Sequence, residues 1–375
     1  MEDKLNVIDK IKSLTVKINI NIDNQQEVGT GIIVCMGKTH YILTVEHVVF
    51  GKDNQHNTTE NDIEVNSYLN TNIKVNSIEQ YNKLILLAID NVSFNIPNTI
   101  YLDKALYEKN YHLRGFPRAV TNGNSFPFND IRCDDIDAQN QSIALTVNNI
   151  NGDTSPDNTI DKIEGVSGSG VFFEEHGKLY LVGVVNSLVD AHGTFATVIA
   201  LTLVNLLIKD DFIFSKYINI EDIEKSMNEK NKKITEDELE KFKNEENSNY
   251  DFLNRKNTTI YEIEDAVNKN YIRIGEYMNG NMLIHSLSDY DINFDEKWKI
   301  SLETILDSFE SKYVHRIENK TLGQSRIVEM TEEVKSVIKE EFGYLNISTS
   351  TVNKLASNAI AKWLFDCNVD FIIKD

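Results

Sequence analysis

Between Val16 and Ile208 the apolar residues of this chain fall into short runs that no amphipathic helix could use. Val16, Ile18, Ile20 and Ile22 alternate with polar neighbours. "GIIVCM", "HYILTVEHVV", "KLILLAI", "SIALTV", "GVFF" and "LYLVGVV" follow, separated by turns rich in Asn, Asp and Gly. Period-two alternation and short apolar runs between turn residues are strand signals, and many of them in succession specify an all-β barrel or sandwich. The longer run "VIALTLVNLLI" (198–208) reads as a strand passing into a helix that closes this region.

Near residue 210 the text changes. "IEKSMNEKNKKITEDELEKFKNEEN" is densely charged, and Thr235 with Glu238 has the spacing of a capping box. The expectation is a charged helical linker over 211–250. Beyond it, Val352, Leu355, Ala356, Ala359, Ile360, Trp363 and Leu364 lie on one helical face, behind the cap candidates Ser348 to Thr351. Leu302, Ile305, Leu306 and Phe309 repeat the pattern after Asp295. Residues 1–210 are therefore expected as a β domain and 251–375 as a mostly helical one.

The balance of 58 acidic against 38 basic residues, a formal charge of −20, disfavours a nucleic-acid binder, which needs clustered Lys and Arg to neutralise phosphate. A cationic peptide or a basic partner suits such a surface better. The N-terminus "MEDKLNVIDKIKS" lacks the apolar core of a signal peptide, and no apolar run is long enough to span a bilayer. Cys35, Cys133 and Cys367 lie far apart with no CxxC pair, which offers no zinc site and fits a reducing compartment. A cytoplasmic protein without membrane contact or cofactor is expected. The Asn-X-Thr matches at Asn57 and Asn257 then carry no glycan.

Two stretches carry chemistry. In "YILTVEHVVFG" a buried strand ends at Glu46-His47, a position suited to a general base and equally to an ordinary polar strand end. In "EGVSGSGVFF" the glycines around Ser167 permit a sharp turn whose amides converge, as acyl transfer requires to hold an oxyanion, worth ~3–4 kcal/mol per donor. Without a partner base the same residues make a plain hairpin. Ser169 stands where the nucleophile elbow of an α/β-hydrolase would have its second glycine. "GIIVCMGKT" imitates a P-loop but has one residue too many between its glycines and an aliphatic interior, so ATP binding is not expected.

In chain order, "GTGIIV", "ILTVEHVV", "KLILLAID", "LRGFP", "GVSGSGVFF" and "LVGVVNS" resemble the trypsin-like (chymotrypsin-fold) serine peptidases over about residues 10–210. The resemblance implies two six-stranded β-barrels with the site between them. It makes Ser167 the nucleophile and His47 the general base, with the amides of Gly165 and Ser167 as the oxyanion hole. The family strand that bears the third, acidic residue aligns with Lys83 at that place. A slip of one residue offers Asn82, and Glu79 is the nearby carboxylate. Asp90 lies seven residues along the strand, ~23 Å away if extended, too far to substitute. By the same carry-over Asp161 falls at the floor of the substrate pocket, a lean toward Lys or Arg, and Leu188 narrows its wall. Val166 stands where zymogen-activated members have an Asp, so N-terminal cleavage is not the expected control.

"NAIAKWLFDCNVDFI" and "DEKWKISLETIL" resemble, over a short span, the shared region of effector subunits in three-component antiphage systems of the Lamassu type. That implies a docking or oligomerisation domain, with an SMC-like ATPase and a small accessory subunit as partners. Two functions stay open: a regulated serine endopeptidase effector cutting a protein or peptide substrate, and a pseudo-peptidase that binds a peptide without cutting it.

Overall fold

A computed structural model describes residues 6–22, 25–52, 55–69, 71–117, 124–148, 165–192, 195–209, 212–215, 217–229, 235–312, 316–365 and 371–373. The chain divides into two compact units, Met1–Tyr217 and Ile218–Asp375.

In the first unit, helix α1 (Val7–Leu14) opens with Asn6 accepting from the Asp9 amide, a local N-cap. The first sheet holds β1 (Thr15–Ile22), β2 (Gln25–Met36), β3 (Thr39–Val45), β4 (Ile63–Asn66), β5 (Asn72–Ile73), β6 (Val75–Tyr81) and β7 (Leu84–Ile89). Their spatial order is β5-β4-β1-β2-β3-β7-β6. The alternation read from Val16 to Ile20 puts Val16, Ile18 and Ile20 into its core with Ile32, Ile42, Leu43 and Leu84 to Leu87. Because β3 and β7 are central, both read as near-continuous apolar runs.

The second sheet holds β8 (Thr99–Tyr101), β9 (Tyr111–Gly115), β10 (Phe126–Asp137), β11 (Ser142–Val147), β12 (Gly170–Glu175), β13 (Lys178–His192) and β14 (Phe195–Thr202). Its order is β12-β9-β10-β11-β14-β13, and β12 also pairs with β13, so six strands close into a ring with β8 added parallel to β13. The expected β-barrel pair is present with one difference. Among the described residues the first sheet has no ladder joining β4 to β6 and is a half-barrel; the short 3₁₀ turn Glu60–Asp62 packs against β6 instead.

"VIALTLVNLLI" runs from β14 into a 3₁₀ helix, Leu203–Ile208. Leu203, Leu206 and Phe212 enter the first core, whereas Tyr217 packs on the second. Lys209 pairs with Glu79 (2.6 Å) and Lys109 with Glu175 (2.7 Å) and the Tyr217 hydroxyl (2.8 Å). The end of the unit is thus fastened to both sheets.

The second unit is helical: Ile220–Glu229, Glu236–Glu245, Asn247–Ile260, Ile263–Tyr290, Phe294–Lys312, Lys320–Phe342 and Thr349–Phe365. All seven apolar residues predicted for the last helical face, Val352 to Leu364, are buried. Leu302, Ile305 and Phe309 are buried as well, and both halves of the Thr235–Glu238 capping box form. The stretch expected as a linker differs from that expectation. Its charges are solvated, but Ile223, Met227 and Phe242 enter the core of the helical unit. Lys256 is fully buried with its ammonium on the carbonyls of Trp363 and Leu364 (3.1 and 3.2 Å), where a cation complements a helix C-terminus. No helix among the described residues is long and apolar enough to cross a membrane.

Candidate active site

His47 sits on the short helix α2 (Glu46–Phe50) that begins where β3 ends. Val48 and Val49 bury the inner side of that turn and leave Glu46 and His47 half-buried. Val48 lies against the backbone of Gly29 on β2, where any Cβ would overlap the valine methyls. A glycine at 29 is what lets α2 approach the strand so closely.

The second piece is the turn Gly165–Gly168 that leads into β12. Gly168 has φ +90°, and a Cβ there would overlap both the Thr30 carbonyl and the Thr44 hydroxyl. The Ser167 carbonyl accepts from the Thr30 amide (3.0 Å), and the Thr30 hydroxyl donates to the Gly165 carbonyl (2.8 Å). The Thr44 hydroxyl donates to the Thr30 carbonyl (2.8 Å). Thr30 lies one residue from Gly29, under α2, and Thr44 lies three residues before His47. The serine turn and the histidine turn therefore rest on the same two residues.

Within the turn the Ser169 amide donates to the Val166 carbonyl (2.9 Å) and the Gly168 amide to the Val185 carbonyl (2.8 Å). The peptide between Val166 and Ser167 is trans, so holding its carbonyl sends the Ser167 N–H the opposite way. Among the described residues, neither the Ser167 nor the Gly165 amide has a backbone acceptor. The Ser167 hydroxyl is half-buried and reaches the Asn186 carbonyl at 3.4 Å, a long contact that an incoming base could replace.

Burial is the largest influence on the His47 imidazole and pushes its pKa below the ordinary 6.5, with Lys52 acting in the same direction. Glu27 and Glu46 oppose this without reversing it. That direction favours the neutral ring, the form in which an imidazole can accept a proton. Among the described residues no hydrogen bond joins His47 to Ser167 or to Asn82. Catalytic hydrogen bonds commonly lengthen in the absence of substrate.

The other expected site residues are placed as follows. Asn82 and Lys83 form the exposed turn between β6 and β7, with Asn82 at φ +57°. That turn docks beside His47: the Glu46 amide donates to the Lys83 carbonyl (2.9 Å), and the Gln80 amide group reaches the Glu46 carboxylate (2.7 Å). Glu79, one residue from Gln80, points to the other face of β6, away from Glu46. It is occupied there by Lys209 (2.6 Å) and the Tyr81 hydroxyl (2.8 Å) and cannot orient His47. Leu188, on β13 opposite Val198, leans on the core of the second barrel. Asp161 lies outside the described residues. Among those residues no group of three or more His, Cys, Asp or Glu side chains could hold a metal ion.

Sequence reasoning did not find Thr30, Thr44 or Gln80. Only the "GTG" of strand β2 hinted at the first, as a polar residue between two glycines in an otherwise aliphatic strand.

No protein-family model and no curated protein matches the chain. Among solved structures, it is similar to Rv3671c from M. tuberculosis H37Rv, a serine-to-alanine mutant in an inactive form. The identity is 15% and the TM-score 0.36, covering 53% of this chain and 87% of that one. A second structure, of the Rv3671c protease in an inactive form, is similar at 16% identity and TM-score 0.36, covering 53% and 88%. At these values the likenesses do not bear on what this chain does.

Proposed function

We propose that the first unit is a serine endopeptidase domain. The observation that carries this reading is the Gly165–Gly168 turn: a half-buried serine hydroxyl flanked by two amides that have no backbone acceptor among the described residues, clamped to the strand pair that leads into His47. Such a turn supplies the two things acyl transfer needs from backbone, a presented nucleophile and a preorganised oxyanion hole.

In this reading Ser167 Oγ attacks the substrate carbonyl while His47 takes its proton. The amides of Gly165 and Ser167 hold the oxyanion, and His47 then returns the proton to the leaving amine. Asn82, on the turn docked against Glu46, is the positioning residue for the imidazole. With Lys83 exposed at the family's carboxylate place, the site works without the buried acid that in related triads is worth ~10⁴ in turnover. Asp161 and Leu188 belong to the substrate pocket by the same resemblance, with a preference for Lys or Arg before the cut bond.

The helical unit is read as the docking or oligomerisation element that keeps the peptidase in check. An SMC-like ATPase and an accessory subunit would release it in antiphage defence. The support for those partners is the short likeness in "NAIAKWLFDCNVDFI" and "DEKWKISLETIL". A second reading, a barrel that grips a peptide without cutting it, is favoured by the missing carboxylate and by the absence of a His47–Ser167 hydrogen bond.

Fluorophosphonate labelling of wild type, Ser167→Ala and His47→Ala separates the two. Labelling that requires both residues supports the peptidase; folded protein that never labels, with or without the partner subunits, leaves the binding module.

A further inference from the structure

Thr30 is fully buried and spends every polar atom it has on the serine turn or its neighbours. Its amide donates to the Ser167 carbonyl (3.0 Å) and its carbonyl accepts from the Thr44 hydroxyl (2.8 Å). Its hydroxyl donates to the Gly165 carbonyl (2.8 Å) and accepts from the Phe116 amide (3.1 Å). The last two partners belong to segments far along the chain, and both lie beside the second barrel. Only a hydroxyl is small enough to fit this spot and able to donate and accept at once. A methyl in its place would leave the half-buried Gly165 carbonyl and the buried Phe116 N–H unpaired.

We propose that Thr30 is the positioning residue of the oxyanion hole, fixing the Gly165–Val166 peptide so that the amides on either side of it face the substrate. The inference rests on the reading of Ser167 as the nucleophile. Thr30 touches no substrate. It acts by holding one carbonyl of the turn, and a donor displaced by even an ångström loses much of its effect on a developing charge.

The test uses the full chain as wild type, Thr30→Ser and Thr30→Val. Two rates are measured: fluorophosphonate labelling per folded molecule, and amide hydrogen exchange at Gly168, Ser169 and Val185, which needs no activity. Thr30→Val is expected to slow labelling about 10- to 100-fold and to speed exchange at the three amides, with Thr30→Ser restoring both. Because labelling is counted per folded molecule, a loss of stability alone would leave its rate unchanged and would speed exchange across the whole unit rather than at those three amides. If Thr30→Val does not fold, Thr30→Ala removes the hydroxyl without a second methyl to seat. Exchange and labelling both at wild-type rates would overturn the proposal, as would loosened amides with undiminished labelling. If the wild type itself never labels, the peptidase reading falls, while exchange still decides whether the hydroxyl holds the turn.

Discussion

The amide of Glu46 donates to the carbonyl of Lys83 across 2.9 Å, joining the first residue of the histidine helix to the tip of the β6–β7 hairpin. The tip therefore sits against the residue that precedes His47, which is why Asn82 is the residue proposed to orient the imidazole. Asn82 also has a purely conformational duty at φ +57°, where other side chains are strained. Glycine separates the two roles. Asn82→Gly is expected to keep stability within about 0.5 kcal/mol, and Asn82→Ala to lose about 1 kcal/mol. If the side chain orients His47, both variants lower the labelling rate of Ser167 alike. Denaturant melts beside labelling rates check this.

The acid limb of activity reports His47. Burial of the imidazole, aided by Lys52, depresses its pKa below 6.5, so the neutral base survives to a lower pH than a solvated histidine would allow. The rate of labelling should fall as pH drops, with its midpoint below 6.5. Stability has the same sign: the contribution is present above 6.5 and is lost as pH falls through the folded value, because the unfolded chain takes up the proton first. A pH–rate profile set against a pH series of melts measures both, and Lys52→Gln should move the midpoint upward.

Gly168 admits no side chain. An added methyl meets the Thr30 carbonyl and the Thr44 hydroxyl, both fixed, in a backbone region that penalises every L-residue. Gly168→Ala is expected to cost more than about 3 kcal/mol and to abolish labelling, because the turn must leave the strand pair that holds it. Labelling retained in a well-folded Gly168→Ala protein would contradict the description of the turn.

Lys209 and Glu79 form a partly buried pair, with the ammonium also 4.7 Å from the centre of the Tyr41 ring. Burial pushes the Glu79 carboxyl up, but the hydrogen bonds from Lys209 and Tyr81 outweigh it and hold the group below the usual 4.5. Its stabilising contribution is present above that value and is lost as pH falls through the folded pKa. Lys209→Met should cost about 1 kcal/mol at neutral pH, less at high salt and less again in acid. Thermal melts at two pH values and two salt concentrations test it.

Much of this protein was legible in its text because the signals are local. Alternation from Val16 to Ile20, the apolar stripe from Val352 to Leu364, the Thr235–Glu238 box and the glycines around Ser167 each act within a turn or two of chain, where sterics and hydrogen-bond geometry leave few choices. The tertiary structure alone decided which face of β6 each polar residue takes, and therefore that Gln80 serves Glu46 whereas Glu79 is lost to Lys209, 130 residues away. It also turned the charged stretch expected as a linker over 211–250 into a contributor to a core, through Ile223, Met227 and Phe242, three apolar residues too sparse to announce themselves. Thr30 is the clearest case. A threonine between two glycines in an aliphatic strand is at most a faint hint, and it becomes the clamp of the serine turn only when the fold brings Gly165, 135 residues on, to its hydroxyl. Local preference selects the elements; which buried polar atoms must find one another is settled only when the elements meet and water is excluded.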